Sequence, residues 1–323
     1  MKARYLVPND YMADPAVHVF NGRLYIYPSH DRESGIPEND NGDHFDMDDY
    51  HVFSTNDINN EPLTDHGVVL KVSDIPWSGR QLWDSDVATK NGKYYLYFSL
   101  KDQNDIFRLG VAVADKPEGP FIPEPDPIKG SYSIDPCVFL DADGHHYMYW
   151  GGLWGGQLQR YRDNKALECA HLPEGDEFAL PSRVVRLSED MLGFDEEPKP
   201  VVILDENGIP LKAGRNDIRF FEASWMHMYN GKYYFSYSTG DSHNLCYAIG
   251  DNPYGPFTYQ GIIMTPVVGW TTHHAIAEFK GQWYLFHHDC VPSGGRTWLR
   301  SLKVVELEYD SNGKIVTIDG GGE

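Results

Sequence analysis

The sequence predicts an all-β protein, a single five-bladed β-propeller over residues 1–323. One unit occurs five times: an ionisable residue, a short apolar segment, a turn with glycine and an aromatic-rich strand. The composition, with 14% aromatic residues, 31 Gly and 21 Pro, favours short strands joined by tight turns. No long stretch keeps apolar residues at helical spacing, so helix should be minor.

Each unit is predicted to begin a blade with a β-hairpin. The units start at Asp14, Asp86, Asp135, Glu222 and His273. Their second strands read LYIYPS, YYLYFS, HYMYWG, YYFSYS and WYLFHH. Glycine supplies the positive φ that a two-residue hairpin turn needs. The turns are Asn21-Gly22, Asn91-Gly92, Asp143-Gly144, Asn230-Gly231 and Lys280-Gly281.

The later strands of each blade are less regular than the first two. The candidate segments are residues 50–54, 108–114, 158–162, 244–249 and 299–306. The unit starts are 72, 49, 87 and 51 residues apart, so the loops must differ in length between blades.

The first residues of the five units predict a site on the propeller axis. The first strand of each blade lines the central channel, so residues at the same strand position converge there. Carboxylates placed close together raise one another's pKa, and burial adds to the effect. One protonated acid beside one ionised base is what glycoside hydrolysis requires. Glu222 is the candidate acid and Asp14 the candidate base; the alternative is that these groups only hydrogen-bond neighbouring loops.

Five motifs on this repeat resemble glycoside hydrolase family 43, which comprises five-bladed propellers including β-xylosidases, α-L-arabinofuranosidases and arabinanases. They are ADPAVHVF at 13–20, LWDSDVA at 82–88, SIDPCVFLDADG at 133–144, FFEASWMHMYNGKYYFSYS at 220–238 and TTHHAI at 271–276. The resemblance implies that Asp14 is the general base, Glu222 the general acid, and Asp135 the residue that tunes and orients the acid. It also implies inversion, which needs acid and base about 6.5–9.5 Å apart.

The resemblance implies further site residues. His273 matches a histidine that ligates calcium, mostly through water, with a neutral histidine bonded to a channel water as the alternative. Arg296 matches an arginine that contacts sugar hydroxyls. Candidate sugar-binding residues, of which one or two of the tryptophans are expected to touch sugar, are Trp83, Trp154, Trp225 and His30.

The second-blade motif departs from the family's W-A-P-D pattern. The chain has Trp83-Asp84-Ser85-Asp86, in which Asp86 matches the final aspartate and is expected to be structural. The acidic run from Asp31 to Asp49 lacks the spacing of an EF-hand calcium loop and is expected to be a solvated loop.

Bulk charge excludes several classes of partner. The formal charge of −21 argues against nucleic acid, because phosphate contacts need clustered cations, and against anionic membranes. No segment is long and apolar enough to span a bilayer. The four cysteines form no CxxC pair, and the N-terminus has no apolar signal core, so a cytoplasmic protein is expected, with a trimmed signal as the alternative.

These observations predict an exo-acting, inverting β-1,4-xylosidase that acts on xylo-oligosaccharides. The alternatives are an α-L-arabinofuranosidase or dual activity, then an arabinanase, and from another class a non-catalytic sugar-binding propeller. The chain ends just after the fifth blade, so no C-terminal β-sandwich is expected; a homo-oligomer, in which another subunit covers the pocket, is possible.

Overall fold

The computed structural model describes residues 3–162, 165–166 and 171–321 and is built almost entirely of β-strands. In chain order the strands are β1 (Arg4–Tyr5), β2 (Met12–Phe20), β3 (Arg23–His30), β4 (Asp49–Thr55), β5 (Thr64–Lys71), β6 (Ser78–Lys90), β7 (Lys93–Asp102), β8 (Phe107–Ala114), β9 (Ile122–Pro123), β10 (Cys137–Leu140), β11 (His146–Trp150), β12 (Tyr161–Arg162), β13 (Lys165–Ala166), β14 (Arg183–Arg186), β15 (Lys199–Pro200), β16 (Ile203–Leu204), β17 (Glu222–Tyr229), β18 (Lys232–Ser238), β19 (Leu245–Gly250), β20 (Phe257–Met264), β21 (His274–Phe279), β22 (Gln282–Asp289) and β23 (Ser301–Glu306). Three single-turn 3-10 helices lie at Val72–Asp74, Trp154–Gly156 and Gly240–Ser242.

Five sheets form a ring, which confirms the predicted five-bladed β-propeller. Blades one and two are β2–β5 and β6–β9, and blade three is β10-β11-β14-β15. Blade four is β17–β20 extended by β16, and blade five is β21–β23 completed by β1. The innermost strands β2, β6, β10, β17 and β21 each contact the next, and β21 contacts β2 to close the ring. No helix in the described part of the chain is long and apolar enough to cross a membrane.

The glycine turns have the backbone geometry predicted for four of the five hairpins. Asn21 and Gly22 have φ of 53° and 78°, and the turns of blades two, four and five repeat this pair of positive values. Both central residues of a type I′ turn need such values. In blade three the connection from β10 to β11 is longer, running over residues 141–145 with Gly144 at φ 86°.

The prediction for the third strand of blade three was wrong. Residues 158–162 do not join the blade: Leu158 donates its backbone N–H to the carbonyl of Gly152, and within the described part of the chain β12 pairs only with β13. The third strand is instead β14, whose Val184 and Val185 are fully buried and pair with β11. A long insertion thus separates the second and third strands, which no local pattern indicates.

Tyrosines of the aromatic strands join neighbouring blades. The hydroxyl of Tyr27 in blade one donates to the carbonyl of Pro117 in blade two, at 2.7 Å. Tyr149 in blade three donates in the same way to Pro253 in blade four, at 2.6 Å. Both acceptors lie in the matching DKPEGPF and DNPYGPF segments. In blades one and three, the aromatic repeat therefore packs the blade while a tyrosine hydroxyl ties that blade to the next.

Candidate active site

A cavity of about 560 Å³ lies where the innermost strands converge. Each blade contributes to its lining an ionisable residue on or just before its innermost strand, namely Asp14, Asp84, Asp135, Glu222 and His273. Four of these are the residues predicted to meet on the axis, and the fifth is Asp84 in place of Asp86. The repeat thus builds a single site from five separate strands.

Local breaks in the innermost strands aim these side chains into the cavity. The pairing of β2 with β3 shifts between Ala13 and Ala16, and Asp14 inside this bulge has φ 44°. Asp135, just before β10, has φ 62°, and Ala223, directly after Glu222, has φ 61°. Bulges redirect side chains, and left-handed backbone at a non-glycine residue is a strained conformation typical of functional sites.

The carboxyl group of Asp14 is held in its ionised form. Burial by itself would raise its pKa, but Arg300 opposes this and the pKa falls to about 2. The Arg300 Nη1 atom donates to Asp14 Oδ1 at 2.7 Å. His288 Nδ1 accepts the Asp14 backbone N–H at 3.1 Å, so this nitrogen carries no proton and the imidazole is neutral. His288 therefore fixes the backbone of Asp14 without adding a charge.

Arg300 is fixed by a second buried carboxylate. Asp31 receives the Nε atom of Arg300 at 2.8 Å and its Nη2 atom at 2.6 Å, on separate oxygens. Such two-point pairing sets both the position and the plane of a guanidinium group. The Phe45 ring lies 5.0 Å from the guanidinium carbon, so Arg300 is held from three sides.

The pKa values of Glu222 and Asp135 are raised, whereas that of Asp14 is lowered. Burial, and then the charges of Asp14 and Asp84, raise the pKa of Glu222 to about 8. Burial and the neighbouring Asp84 and Glu222 raise the pKa of Asp135 well above its usual value. Asp135 Oδ2 accepts the backbone N–H of Ala223 at 2.5 Å, which ties Asp135 to the strand that carries Glu222. The site therefore contains one ionised carboxylate and at least one carboxylic acid at neutral pH.

His273 lies between two of these acidic groups. Its Nδ1 atom is 3.8 Å from Asp14 Oδ1 and 3.9 Å from Asp135 Oδ1. The adjacent His274 points away from the cavity, is fully buried, and shares a hydrogen bond with Ser236 at 2.7 Å. Of the two adjoining histidines, His273 is therefore the one on the axis.

Aromatic rings form the side walls of the cavity. On one side the Trp83 indole donates to the carbonyl of Phe45 at 2.7 Å and meets its ring edge-on. On the other side Trp154 lies 5.7 Å from Trp270 and 5.5 Å from Phe221. Apolar walls with a few placed polar groups are typical of small-ligand sites. The structure thus places the predicted Trp83 and Trp154 in the cavity lining.

Three predicted sugar-binding residues lie outside the cavity lining. Arg296 sits on an exposed turn, where it pairs with Glu33 at 3.2 Å. His30 points away because residues alternate along a strand and the next residue, Asp31, faces Arg300. Trp225 is buried between blades, and its indole donates to the carbonyl of Ile276 at 3.1 Å.

Asp86 also lies outside the cavity. It accepts the backbone N–H of Val138 and contacts His18 Nε2, both at 2.5 Å, so it connects blades one, two and three. The pairing of β6 with β7 shifts between Leu82 and Ser85, and this bulge turns Asp84 to the cavity instead. The sequence does show two candidate carboxylates, Asp84 and Asp86, in Trp83-Asp84-Ser85-Asp86. The bulge that determines which of them faces the cavity has no sequence signature.

Arg300 was not predicted from the sequence. The arginine predicted for the site was Arg296, four residues earlier on the Gly-Gly turn. The acidic run was also misjudged. Rather than a wholly solvated loop, it buries Asp31 against Arg300 and places His44 and Phe45 in the cavity wall. Among the cysteines, Cys137, Cys246 and Cys290 are free and buried, while Cys169 lies outside the described residues.

Comparison with known proteins places this site in a family. The chain is 76% identical to a xylosidase/arabinosidase of Bacteroides ovatus, over 99% of this chain and 98% of that protein. It is 65% identical to a β-xylosidase of Xylanibacter ruminicola, over 98% of this chain and 100% of that protein. The structure of the RS223 β-xylosidase superposes with a TM-score of 0.98 at 74% identity, covering 99% of each chain.

A further solved structure is similar and carries a ligand. It is a β-xylosidase/α-arabinofuranosidase from a compost microbial metagenome, in complex with xylotriose and described as a calcium-free form, with a TM-score of 0.96 at 57% identity over 100% of this chain and 99% of that chain. The family model "Glycosyl hydrolases family 43" matches residues 6–315. With five blades, an axial set of carboxylates and this match across the chain, the protein is a glycoside hydrolase and belongs to glycosyl hydrolase family 43.

Proposed function

We propose that the protein is an inverting, exo-acting β-1,4-xylosidase that releases xylose from xylo-oligosaccharides. The observation that carries the proposal is the division of the carboxyl groups in one cavity. Arg300 holds the pKa of Asp14 at about 2, whereas burial raises that of Glu222 to about 8. An ionised base and a protonated acid thus coexist at neutral pH, as hydrolysis of a glycosidic bond requires.

Glu222 acts on the leaving group. Its protonated carboxyl donates to the glycosidic oxygen as the bond to the anomeric carbon breaks. Asp135 supports this donor through its hydrogen bond to Ala223 N–H, the peptide directly after Glu222. We assign Asp135 the role of a positioning residue, because it acts on the acid rather than on the sugar.

Asp14 acts on the attacking water. Its carboxylate takes a proton from the water as the oxygen bonds to the anomeric carbon from the face opposite the leaving group. A carboxylate with a pKa of about 2 is a mild base. That suffices because the oxocarbenium-like transition state makes the attacking water more acidic. The first product from a β-xyloside is then α-xylose.

The substrate class follows from the walls and from the relatives. The aromatic walls of Phe45 with Trp83, and of Trp154 with Trp270, enclose a space suited to a pentose. The relatives named above are described as β-xylosidases or as xylosidase/arabinosidases. The same names support α-L-arabinofuranosidase activity as a second activity of the same site.

A calcium ion at His273 is part of the proposal. Its fit rests on oxygen donors: the buried carboxyl groups of Asp14, Asp84 and Asp135 line the cavity, and within the described residues Asp84 Oδ2 is a buried oxygen without a hydrogen-bond partner. His273 would hold the ion with waters as the remaining ligands, because calcium takes six to eight mainly oxygen ligands. When bound, the ion would supply positive potential beside these carboxyl groups. Chelation followed by calcium addition should restore rate and raise the melting temperature; no change in either would remove the ion from the proposal.

A two-substrate assay tests the function. We expect turnover of 4-nitrophenyl β-D-xylopyranoside, with lower turnover of the α-L-arabinofuranoside, and release of xylose from xylotriose. NMR of the first product should show α-xylose, and β-xylose would contradict inversion. A folded protein inactive on every pentoside would instead indicate a sugar-binding propeller.

Other expectations from the sequence remain predictions. The single-domain organisation, the cytoplasmic location and the homo-oligomer can be tested by limited proteolysis, cell fractionation and light scattering after size exclusion.

A further inference from the structure

We propose a second metal site on the outside of blade one, where His30, Asp49 and His51 bind a divalent transition-metal ion such as Zn²⁺ or Co²⁺. One donor atom from each residue lies within 4.8 Å of the donors of the other two. None of the three lines the cavity, so this site is separate from the proposed function.

The sheet itself brings the three donors together. β3 and β4 are antiparallel and Ser29 lies opposite Tyr50. The next residue of β3, His30, therefore lies opposite the preceding residue of β4, Asp49. Asp49 and His51 are two residues apart on β4 and therefore share a face. A site carried by two paired strands is held more rigidly than one carried by loops.

The hydrogen bonds assign the ligand atoms. His51 Nδ1 lies 3.1 Å from Asp65 Oδ1, which leaves Nε2 for the metal. His30 Nδ1 lies 2.6 Å from Asp49 Oδ1, and its Nε2 atom is 3.4 Å from Asp10 Oδ1. A metal would take the place of the proton between His30 and Asp49. Each imidazole would then donate its other N–H to a carboxylate, as metal-binding histidines usually do.

Charge and access both favour a cation here. Carboxylate oxygens lie 2.6 to 3.4 Å from ring nitrogens of the two histidines, so the surroundings of the site are negatively charged. The neighbouring cation Arg32 is already paired with Asp46 and Asp48. The side chains of His30, Asp49 and His51 keep 23%, 24% and 15% exposure, so an ion and its waters can reach them.

The donor set selects the class of metal. Two imidazoles and one carboxylate suit zinc, cobalt or nickel better than calcium or magnesium, which prefer oxygen ligands. Tetrahedral zinc ligands are about 3.3 Å apart, given metal–nitrogen bonds of about 2.0–2.1 Å. The donors lie within 4.8 Å of one another, so they must approach by at most about 1.5 Å to reach that spacing. The bound ion would join β3 to β4 and stabilise the folded state.

Cobalt binding to the full chain tests the proposal. The His273→Ala background removes the proposed axial site, and Co²⁺ is followed by its visible absorption and by calorimetry. We expect one saturable ion, and a rise in melting temperature with Co²⁺ or Zn²⁺. His51→Gln should abolish binding, whereas Asp65→Asn should weaken it about 10- to 100-fold by removing the partner of the ligand.

The matched control is His145→Gln. His145 is also an exposed histidine beside a carboxylate, 3.4 Å from Asp143, but within the described residues it belongs to no group of three potential metal ligands. The His145→Gln substitution should leave cobalt binding unchanged. Absence of saturable binding in the His273→Ala protein, or binding unaffected by His51→Gln, would overturn the proposal. If His51→Gln does not fold, Asp65→Asn decides alone. Because neither readout is catalytic, failure here leaves the proposed function untouched, and the reverse also holds.

Discussion

The raised pKa of Glu222 gives the sharpest test of the mechanism. With a pKa of about 8, about 90% of this residue is protonated at pH 7, against about 0.3% for a glutamate at the ordinary value of 4.5. The cavity therefore increases the population of the acid about 300-fold at neutral pH. The value of kcat/KM should fall tenfold for each pH unit above about 8, as the acid is lost from the free enzyme.

The fall of kcat/KM above about pH 8 is the alkaline limb of the pH profile. The substitution Glu222→Gln tests whether this limb is due to Glu222 or to another group. We expect kcat/KM on xylobiose to fall by about 100- to 10,000-fold, the usual contribution of general acid catalysis. On 4-nitrophenyl β-D-xylopyranoside the loss should be smaller, because the nitrophenolate leaves without a proton. The alkaline limb should also disappear from the residual activity.

The control is Glu278→Gln, which makes the same change at an exposed position on the innermost strand of blade five. It should keep both rate and pH profile. The reasoning fails if Glu222→Gln retains the alkaline limb, if the loss is equal on the two substrates, or if the limb of the parent enzyme lies below pH 6.

Three further predictions concern other buried charged groups. Asp14 has its pKa lowered to about 2, so its charge stabilises the fold by about 2 kcal/mol above pH 4, and this is lost as the pH falls from about 4 to 2. In urea unfolding, the stability gap between the parent and Asp14→Asn should shrink over that range. Arg300→Met leaves Asp31 buried without its partner and should lower the free energy of unfolding by about 3–5 kcal/mol, with Arg300→Lys less damaging; equal stability would contradict this role. Asp86→Asn should cost about 1–3 kcal/mol of stability and leave the pH limbs of kcat/KM in place, whereas a shifted limb would place Asp86 in the chemistry.

The fold could be predicted because its signals are local. Turns such as Asn21-Gly22 fix each hairpin over a few residues, and the aromatic alternation fixes which face is buried. The same repetition brought Asp14, Asp135, Glu222 and His273 together, since equal positions on equivalent strands meet on the axis. Neither inference required knowledge of contacts between distant parts of the chain.

What could not be predicted depends on bulges and long-range packing. Asp84 replaces Asp86 in the cavity because of a shift in pairing that no residue type marks. Arg300 is identified by its contact with Asp31, 269 residues earlier in the chain. Phe45 reaches the cavity wall only because the loop that carries it folds over blade two. Each depends on where another blade lies, so the local sequence could not supply it.

The pairing of β1 with β23 has a consequence for how this ring assembles. Arg4 lies opposite Val304, so the outer edge of blade five is completed by the first strand of the chain. Closing so long a loop carries an entropic cost that must be met before the contact contributes any stability, and such non-local pairings slow folding. During synthesis the first four blades can form before the last one, which needs both β1 and β23. Ring closure is therefore the expected late step of folding, and shortening the N-terminus would leave the edge of β23 exposed to other chains.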